Sequence, residues 1–506
     1  MIAAAIFVAA YLIVAPSPAD LAAQTFRADL FSAHGYLIWN DLWYSGHSLL
    51  GYSVLYPPLG ALLGPRVVGA LAALASAAAF AALARRRYGE RARIAIWWFG
   101  AATVTNLVSG RITFALGLAV GLAALLALVR RRTGLAVGLG IATSLASPLA
   151  GLFLALAAVV RATLDDRARS LAVAAAAFAP LAVLSLAFPT PGWFPFAFLA
   201  FVPVPLAVLA VIAAVPRDER WLRRGALAYG TLCVLFALVH SPVGANAARL
   251  GSLFGGPLVA LALTARRPLA LAALALPLLY WQWVAPVRDF TDQAGDPATH
   301  RSFFQPLVGE LDRVTHGRAV RIEIPPTHDR WEAAYVAPRY PLARGWLRQL
   351  EASDLRRFTG GRLTAPSYRR WLDRRAISYV AVPDAKLDYI ATDEARLIGR
   401  GVPYLRPIWR NADWTLYRVR RPPPLVSGGG RLLAIGPSDF SLRIRRAGAY
   451  LVRIHYTPYW SVSSGSGCVS RSGPWTRVDA RGAGTISVAA RLSLGGLFRH
   501  DRSCSE

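Results

Sequence analysis

Apolar runs alternate with short polar gaps along the first 286 residues. They lie near positions 1–15, 66–84, 94–109, 112–129, 134–160, 170–188, 195–215, 225–240, 250–264 and 269–286. Most are close to the roughly 17–25 residues that a helix needs to cross a hydrocarbon core. The run 134–160 is too long for one crossing and short for two, so it must enter and return, with a break expected near Ser147 and Pro148. Counted as a hairpin it gives eleven helices; counted as re-entrant it gives nine plus a broken pair.

The gaps carry a second pattern. Seventeen of the twenty-one arginines before residue 287 fall into five clusters at alternate gaps: Arg85 to Arg87 with Arg91 and Arg93; Arg130 to Arg132; Arg161, Arg167 and Arg169; Arg217, Arg220, Arg223 and Arg224; Arg266 and Arg267. Cytoplasmic loops are enriched in arginine and lysine, so these gaps are expected to be cytoplasmic. The chain is then expected to leave the membrane after Pro286 on the outer side. Residues 1–15 have the length of a signal-peptide core but lack a positive leading segment, so they read as a first helix with a cytoplasmic N-terminus.

Beyond position 286 the periodicity changes. Val287 to His300 is polar and reads as a linker. From 301 to 424, short strands ("AVRIEI", "ISYVAVPD", "DWTLYRV") mix with helix-like stretches ("GWLRQLEASDLRRF", "PSYRRWLDRR"), which predicts an α/β domain. After "RPPPLVSGGG" the region 425–506 alternates Val452, Ile454 and Tyr456 with Arg453 and His455, the pattern of antiparallel strands with one wet face. A β-sandwich suits it. The expected architecture is therefore a polytopic α-helical membrane domain over 1–286, with its first outer loop at 16–65, followed by two extracytoplasmic domains.

Charge sharpens this division. The net +28 splits into 21 basic against 8 acidic residues before position 287 and 35 against 20 after it. The first excess is explained by topology, not by nucleic acid. The second leaves a basic outer region facing anionic lipid headgroups or an anionic wall polymer. Lys386 is the only lysine. Three cysteines exclude a disulfide scaffold and a cysteine-based metal site. Cys468 and Cys504 both fall in the outer region, where either a disulfide or two free thiols would be compatible with the sequence.

Few charges remain at the outer side of the membrane half: Asp20, Arg27, Asp29, Asp41, Arg66, Arg111 and Arg249. A charge at membrane depth costs about 2.5–3.5 kcal/mol on insertion scales, which makes those beside apolar runs functional candidates. The loop "FRADLFSAHGYLIWNDLWYSGHSLLGYSVLYPPLGALLG" carries Asp29, Asp41, His34 and His47 among the aromatic residues Trp39, Trp43 and Tyr44. Aromatic rings at a membrane edge serve as interfacial anchors, and rings beside carboxylates also form sugar-binding clefts. The Asp and His spacing matches no recognised metal motif, and no P-loop, dinucleotide turn or nucleophile elbow is present. In "TNLVSGRITFALGLA", Ser109, Gly110 and Arg111 form an outer turn. In "HSPVGANAARLGSLFGGP", His240, Asn246 and Arg249 form another. Two arginines brought together there would either grip a lipid phosphate in a two-pronged fashion or snorkel singly to headgroups.

The order of a first helix, "RADLFSAHG", "WNDLWYSGHSLLGYSVLYPPL", "SGRITFALG" and "GANAARLGSLF" resembles bacterial membrane proteins of the GT-C superfamily, the polyprenyl-phosphate-sugar-dependent glycosyltransferases. The likeness is nearest to the branch labelled as 6-pyruvoyl-tetrahydropterin synthase-related. It extends into "ARGWLRQLE", "YRRWLDRRAISYVAVPD" and "WTLYRV". The resemblance implies a multi-pass protein of the bacterial cytoplasmic membrane that needs no cofactor and binds no nucleic acid. It would use a polyprenyl-phosphate-linked sugar as donor and a cell-envelope glycan or glycolipid as acceptor. It also implies a first-loop carboxylate as general base, with Asp29 the best match and Asp41 second, and Arg249 with Arg111 on the leaving phosphate. Asn246, His34, Trp43 and Tyr44 would line the substrate site. Many members of the superfamily carry adjacent acidic pairs in that loop, whereas the aspartates here are isolated. A transporter or flippase of a lipid-linked precursor and a non-catalytic envelope scaffold are the competing readings.

Overall fold

Proline, glycine and arginine decide where the helices of the first half stop. The computed structural model describes residues 1–43, 46–189, 192–351, 356–493, 496 and 504. The chain divides into two units: Met1–Ser32, Gly51–Ser185 and Pro191–Ala294 form the first, and Ala33–Leu50, Leu186–Thr190 and Gly295–Glu506 form the second.

In the first unit the helix Ile2–Val14 ends at Ala15, which takes a left-handed conformation (φ 47°) just before Pro16 and Pro18. A second helix, Ala19–His34, follows at a bend of 79°. The expected outer loop 16–65 therefore holds a long helix, the short antiparallel strands β1 (Trp39–Asn40) and β2 (His47–Ser48), and the helix Tyr56–Leu63. Among the described residues, five segments are long and apolar enough to cross a membrane: Pro65–Val108, Ile112–Val129, Arg167–Ala187, Gly244–Leu263 and Pro268–Gln293. The bent pair Ile2–Val14 and Ala19–His34 makes a sixth if it is one span. Pro65–Val108 is 44 residues long, well over the thickness of a bilayer core at ~1.5 Å per residue. It is broken at Gly89 (φ 58°), directly after Arg85, Arg86 and Arg87 close the helix Pro65–Tyr88.

This count is smaller than the nine to eleven that the apolar runs predict. The difference arises where helices are cut short. The run 134–160 is divided into Thr133–Ala146 and Pro148–Ala162, and 195–215 into Phe198–Phe201 and Pro203–Ala214. Pieces of 14 and 15 residues reach only about 21–23 Å. The break does fall at Ser147, whose side chain accepts from Ala150 N and caps the second piece, with Pro148 at its first position. The chain then doubles back: a Cβ built on Gly151 would lie 2.9 Å from Cα of Ser144 and 2.8 Å from its Cβ. Only glycine permits that approach.

Four of the five arginine clusters meet through direct contacts. Arg87 pairs with Glu219 at 3.3 Å, and Tyr88 and Trp221 donate to the same carboxylate at 2.9 and 2.8 Å. Arg266 pairs with Asp218, and Arg224 donates to Thr163 O, both at 2.6 Å. These clusters thus sit at one end of the bundle, as a single arginine-rich side requires. Along Pro268–Gln293, Leu269, Leu276, Tyr280, Val284 and Val287 stand exposed at helical spacing, an apolar face suited to lipid rather than water. The helix continues through Pro277 and Pro286 to Gln293, so half of the segment expected to be a linker is helical. The polar turn is confined to its end, where Asp296 caps Pro297–Thr299.

The second unit contains three main sheets. β3 (Arg321–Glu323) runs parallel to β4 (Ile377–Pro383). β6 (Trp414–Val419) pairs antiparallel with β4 and with the edge strand β5 (Leu405–Arg410), in the order β3-β4-β6-β5. Helices Arg301–Thr315, Ala365–Arg374 and Thr392–Gly399 accompany this sheet. Of the helix-like stretch 345–358, the turn Arg348–Glu351 and residues 356–358 are helical among the described residues. Seven more strands follow: β7 (Arg431–Ile435), β8 (Asp439–Ile444), β9 (Gly448–His455), β10 (Trp460–Ser464), β11 (Gly467–Ser472), β12 (Trp475–Ala480) and β13 (Gly484–Ala490). They form antiparallel sheets ordered β10-β13-β8-β7 and β11-β12-β9. Tyr450, Val452 and Ile454 bury every second side chain of β9 against Phe440, Leu442, Val478 and Val488. Cys468 and Cys504 are joined in a disulfide.

Replacing Gly151 with Val is expected to lower the thermal stability of the detergent-solubilised protein by about 1–3 kcal/mol or more, because even if Oγ of Ser144 swings aside from the added carbon, Cβ and Cα of Ser144 remain 2.8 and 2.9 Å away. Gly225→Ala, on a helix with nothing within 4 Å of the added carbon, is expected to be neutral or stabilising by up to about 1 kcal/mol. Paired melting curves of the two variants check both signs.

Candidate functional site

The helix ends opposite the arginine-rich side carry a compact polar cluster. Ile112–Val129 runs between Arg111 and Arg130, and Ala248–Leu263 carries Arg249 in its first turn and is followed by Arg266. Each helix has its isolated arginine at one end and its clustered arginines at the other. The structure brings the two isolated arginines together. Nε of Arg111 lies 3.9 Å, and Nη2 of Arg249 3.8 Å, from the same carboxylate oxygen of Asp20. All three side chains are about one quarter exposed.

Three local features hold this geometry. Asp20 sits in the first turn of Ala19–His34, where the helix dipole favours an acid. Arg111 follows Gly110 (φ 70°), and a Cβ on Gly110 would lie 2.4 Å from N of Leu21, so only a glycine lets this turn approach the start of that helix. Ser109 donates to Oδ2 of Asp289 at 2.6 Å, bringing in the helix Pro268–Gln293. Asp289 also acts electrostatically on Arg249, whose guanidinium lies 5.9 Å from the ring of Phe114.

The two contacts to Asp20 are longer than hydrogen bonds, so the carboxylate does not consume the donors of either guanidinium. Nε of Arg111 has no acceptor among the described residues. Two unspent guanidinium edges around one partly exposed carboxylate form an arrangement that can take an oxyanion beside an acid.

The residues expected from the sequence divide between the two units. Arg111 and Arg249 converge, and Asn246 lies half-buried on the turn Gly244–Ala247, three residues before Arg249. Asp29 is exposed on the same helix as Asp20 but nine residues on, which is half a turn out of phase and about 13 Å along the axis. Arg27, seven residues from Asp20, shares its face. It is buried, lies 3.7 Å over the ring of Tyr52, and leaves Nε and Nη2 without acceptors among the described residues. His34 is exposed at the end of this helix.

Asp41, Trp43 and His47 belong to the second unit. Trp43 is 2% exposed, donates to Ala333 O at 3.3 Å and stacks on His47 at 4.8 Å. Its backbone bridges to Leu342, which in turn bridges to Ile322 of β3. Asp41 is 3% exposed; its N donates to Pro437 O at 2.7 Å, and Oδ1 accepts from Trp39 Nε1 at 3.4 Å. Burial pushes its carboxyl up to about 7, against the pull of Arg321. These aromatic and acidic residues serve the interior of the second unit rather than an open cleft. Tyr44 lies outside the described residues. The first unit contributes Asp20, which the sequence ranked only among the outer charges, and Asp289, which the expected linker concealed.

No protein-family model matches the chain, and no curated protein is significantly similar to it.

Replacing Asp41 with Asn tests its structural role. Its folded-state value lies above its unfolded value, so its contribution to stability is present at low pH and is lost as pH rises from about 4 through about 7. The stability of Asp41→Asn relative to wild type should therefore increase across that window, by at most ~4 kcal/mol. Melting curves at pH 5 and pH 8 check this; a difference independent of pH would refute it.

Proposed function

We propose that the chain is an integral membrane glycosyltransferase. It takes a sugar from a polyprenyl-phosphate donor and passes it, with inversion, to a hydroxyl of an extracytoplasmic cell-envelope acceptor. The observation that carries this reading is the meeting of Arg111 and Arg249 at Asp20, at the helix ends away from the clustered arginines. A donor whose lipid tail lies among the helices presents its phosphate at such a depth. The two guanidiniums match that phosphate, and they are positioned before any ligand arrives.

The residue roles follow from the chemistry. The acceptor oxygen attacks the anomeric carbon as the bond from that carbon to the phosphate oxygen breaks. The departing polyprenyl phosphate carries the electron pair and is neutralised by Arg111 and Arg249. The hydroxyl proton passes to a carboxylate on the acceptor side. Asp20 takes this role in preference to Asp29, because it alone stands beside both arginines, and in preference to Asp41, whose carboxyl is enclosed in the second unit. Asp289 keeps Ser109 and the Arg111 turn in place.

The test uses Asp20→Asn, Arg249→Gln and Asp29→Asn in the native host, with envelope glycans compared by linkage analysis against a deletion strain and protein level checked in membranes. Asp20→Asn and Arg249→Gln are each expected to lower transfer about 100-fold or more and to reproduce the missing glycan of the deletion. Asp29→Asn is expected to keep at least half of the wild-type product. Wild-type glycans in an Asp20→Asn strain with normal protein level would sink the assignment.

A further inference from the structure

The second unit contains a cleft of about 300 Å³ between the end of helix Arg301–Thr315 and the free edge of the mixed sheet. It is lined by Arg313, Val314, His316, Arg406, Ile408 and Arg418. Arg406 of β5 and Arg418 of β6 are directly opposite one another in the antiparallel pairing, so both project from the same face. The same cross-strand row continues inward to Tyr379 and Ile322. Tyr379 anchors the helix end by donating its hydroxyl to Val314 O at 3.3 Å. Its ring lies 5.8 Å from the Arg418 guanidinium.

Like charges placed directly opposite on neighbouring strands repel, and a structural role for the pair would call for an acid nearby. Arg313 has one: Glu310 holds it through two hydrogen bonds of 2.6 and 2.8 Å. Arg406 and Arg418 have no ion pair or hydrogen bond among the described residues. The cleft therefore presents two uncompensated guanidiniums, one steadied by an aromatic ring, beside the apolar surface of Ile408 and Val314. Its volume is at the lower end of the range for small-molecule sites, about 300–1,000 Å³.

We propose that this cleft binds a phosphate monoester, with Arg406 and Arg418 gripping the phosphate and the apolar rim taking a body of roughly monosaccharide size. Two guanidiniums balance the charge of about −2 on such a group. The site lies wholly in the second unit and does not depend on the glycosyltransferase reading.

Glucose 1-phosphate and short-chain dihexanoyl phosphatidic acid serve as probes, titrated calorimetrically into the full chain in neutral-lipid nanodiscs. The two probes separate a soluble sugar phosphate from a lipid headgroup as the source of the same chemistry. Arg406→Gln combined with Arg418→Gln is expected to weaken the bound probe at least tenfold, whereas Arg431→Gln with Arg443→Gln, an exposed cross-strand pair outside the cleft, leaves it within threefold. Unphosphorylated glucose should not bind. Both cleft arginines are exposed and repel each other, so the double variant should melt no lower than wild type. Binding of neither probe, binding that survives Arg406→Gln with Arg418→Gln, or an equal loss in Arg431→Gln with Arg443→Gln overturns the proposal.

Discussion

A carboxylate shared by two arginines is the interaction around which the first unit is organised at one end. Asp20, Arg111 and Arg249 come from three separate helical segments, and none of them is fully solvated. A lone charge beside hydrocarbon is expensive, so each of the three requires the others to be where they are. That requirement fixes the 79° bend after Val14, the glycine turn at Gly110 and the start of the helix at Ala248 relative to one another. Asp289 and Ser109 extend the same constraint to the last helix of the unit. Because the bridging distances are close to 4 Å, the assembly holds position without exhausting its donors. A binding site needs that combination; a purely structural ion pair does not.

The second unit resolves buried charge differently. Arg344 is enclosed between Glu323 and Glu394, with Tyr368 donating to Glu394 at 2.6 Å, and it lies against the rings of Phe358 and Trp371. Asp388 is shared by Arg330 and Arg348 at 3.0 and 2.6 Å, which holds its carboxyl below the usual range despite burial. Here each carboxylate accepts from a guanidinium or a phenol at hydrogen-bond distance. Such networks specify how the sheet and its helices pack, since removing one member strands the rest. The contrast with the loose contacts at Asp20 separates packing charges from available ones.

Much of this was legible from hydropathy and arginine placement. The break at Ser147 and Pro148, the mutual approach of the arginine clusters, the strands at 321–323, 377–383 and 414–419, and the alternation of β9 follow from local pattern. The pairing of Arg111 with Arg249 was one of two readings of their standing at polar turns on the same side, the other being that each snorkels singly. Asp20 was harder to single out, because an acid just after a proline-rich turn reads as an ordinary helix start. Asp29 and Asp41 drew attention through their aromatic neighbours. Which face of a helix an aspartate occupies, and whether a tryptophan anchors at an interface or fills a core, depend on partners hundreds of positions away. Fewer helices reach spanning length than the apolar runs predict, because hydropathy does not reveal how short the pieces on either side of a break become.

Residues 33–50 supply Trp43 and Asp41 to a unit whose remaining residues come almost entirely from beyond Gly295. Trp43 meets Ala333 across 290 positions, and Trp39 O accepts from Ser438 across 399. During synthesis this loop emerges long before its partners exist, so it must wait, unsatisfied, until nearly the whole chain has been made. The order of assembly is thereby imposed by connectivity: the second unit closes last, around a piece delivered first. A gene fragment starting at Gly295 would lack the indole that lies against Gly345, and would begin folding with a hole in its interior.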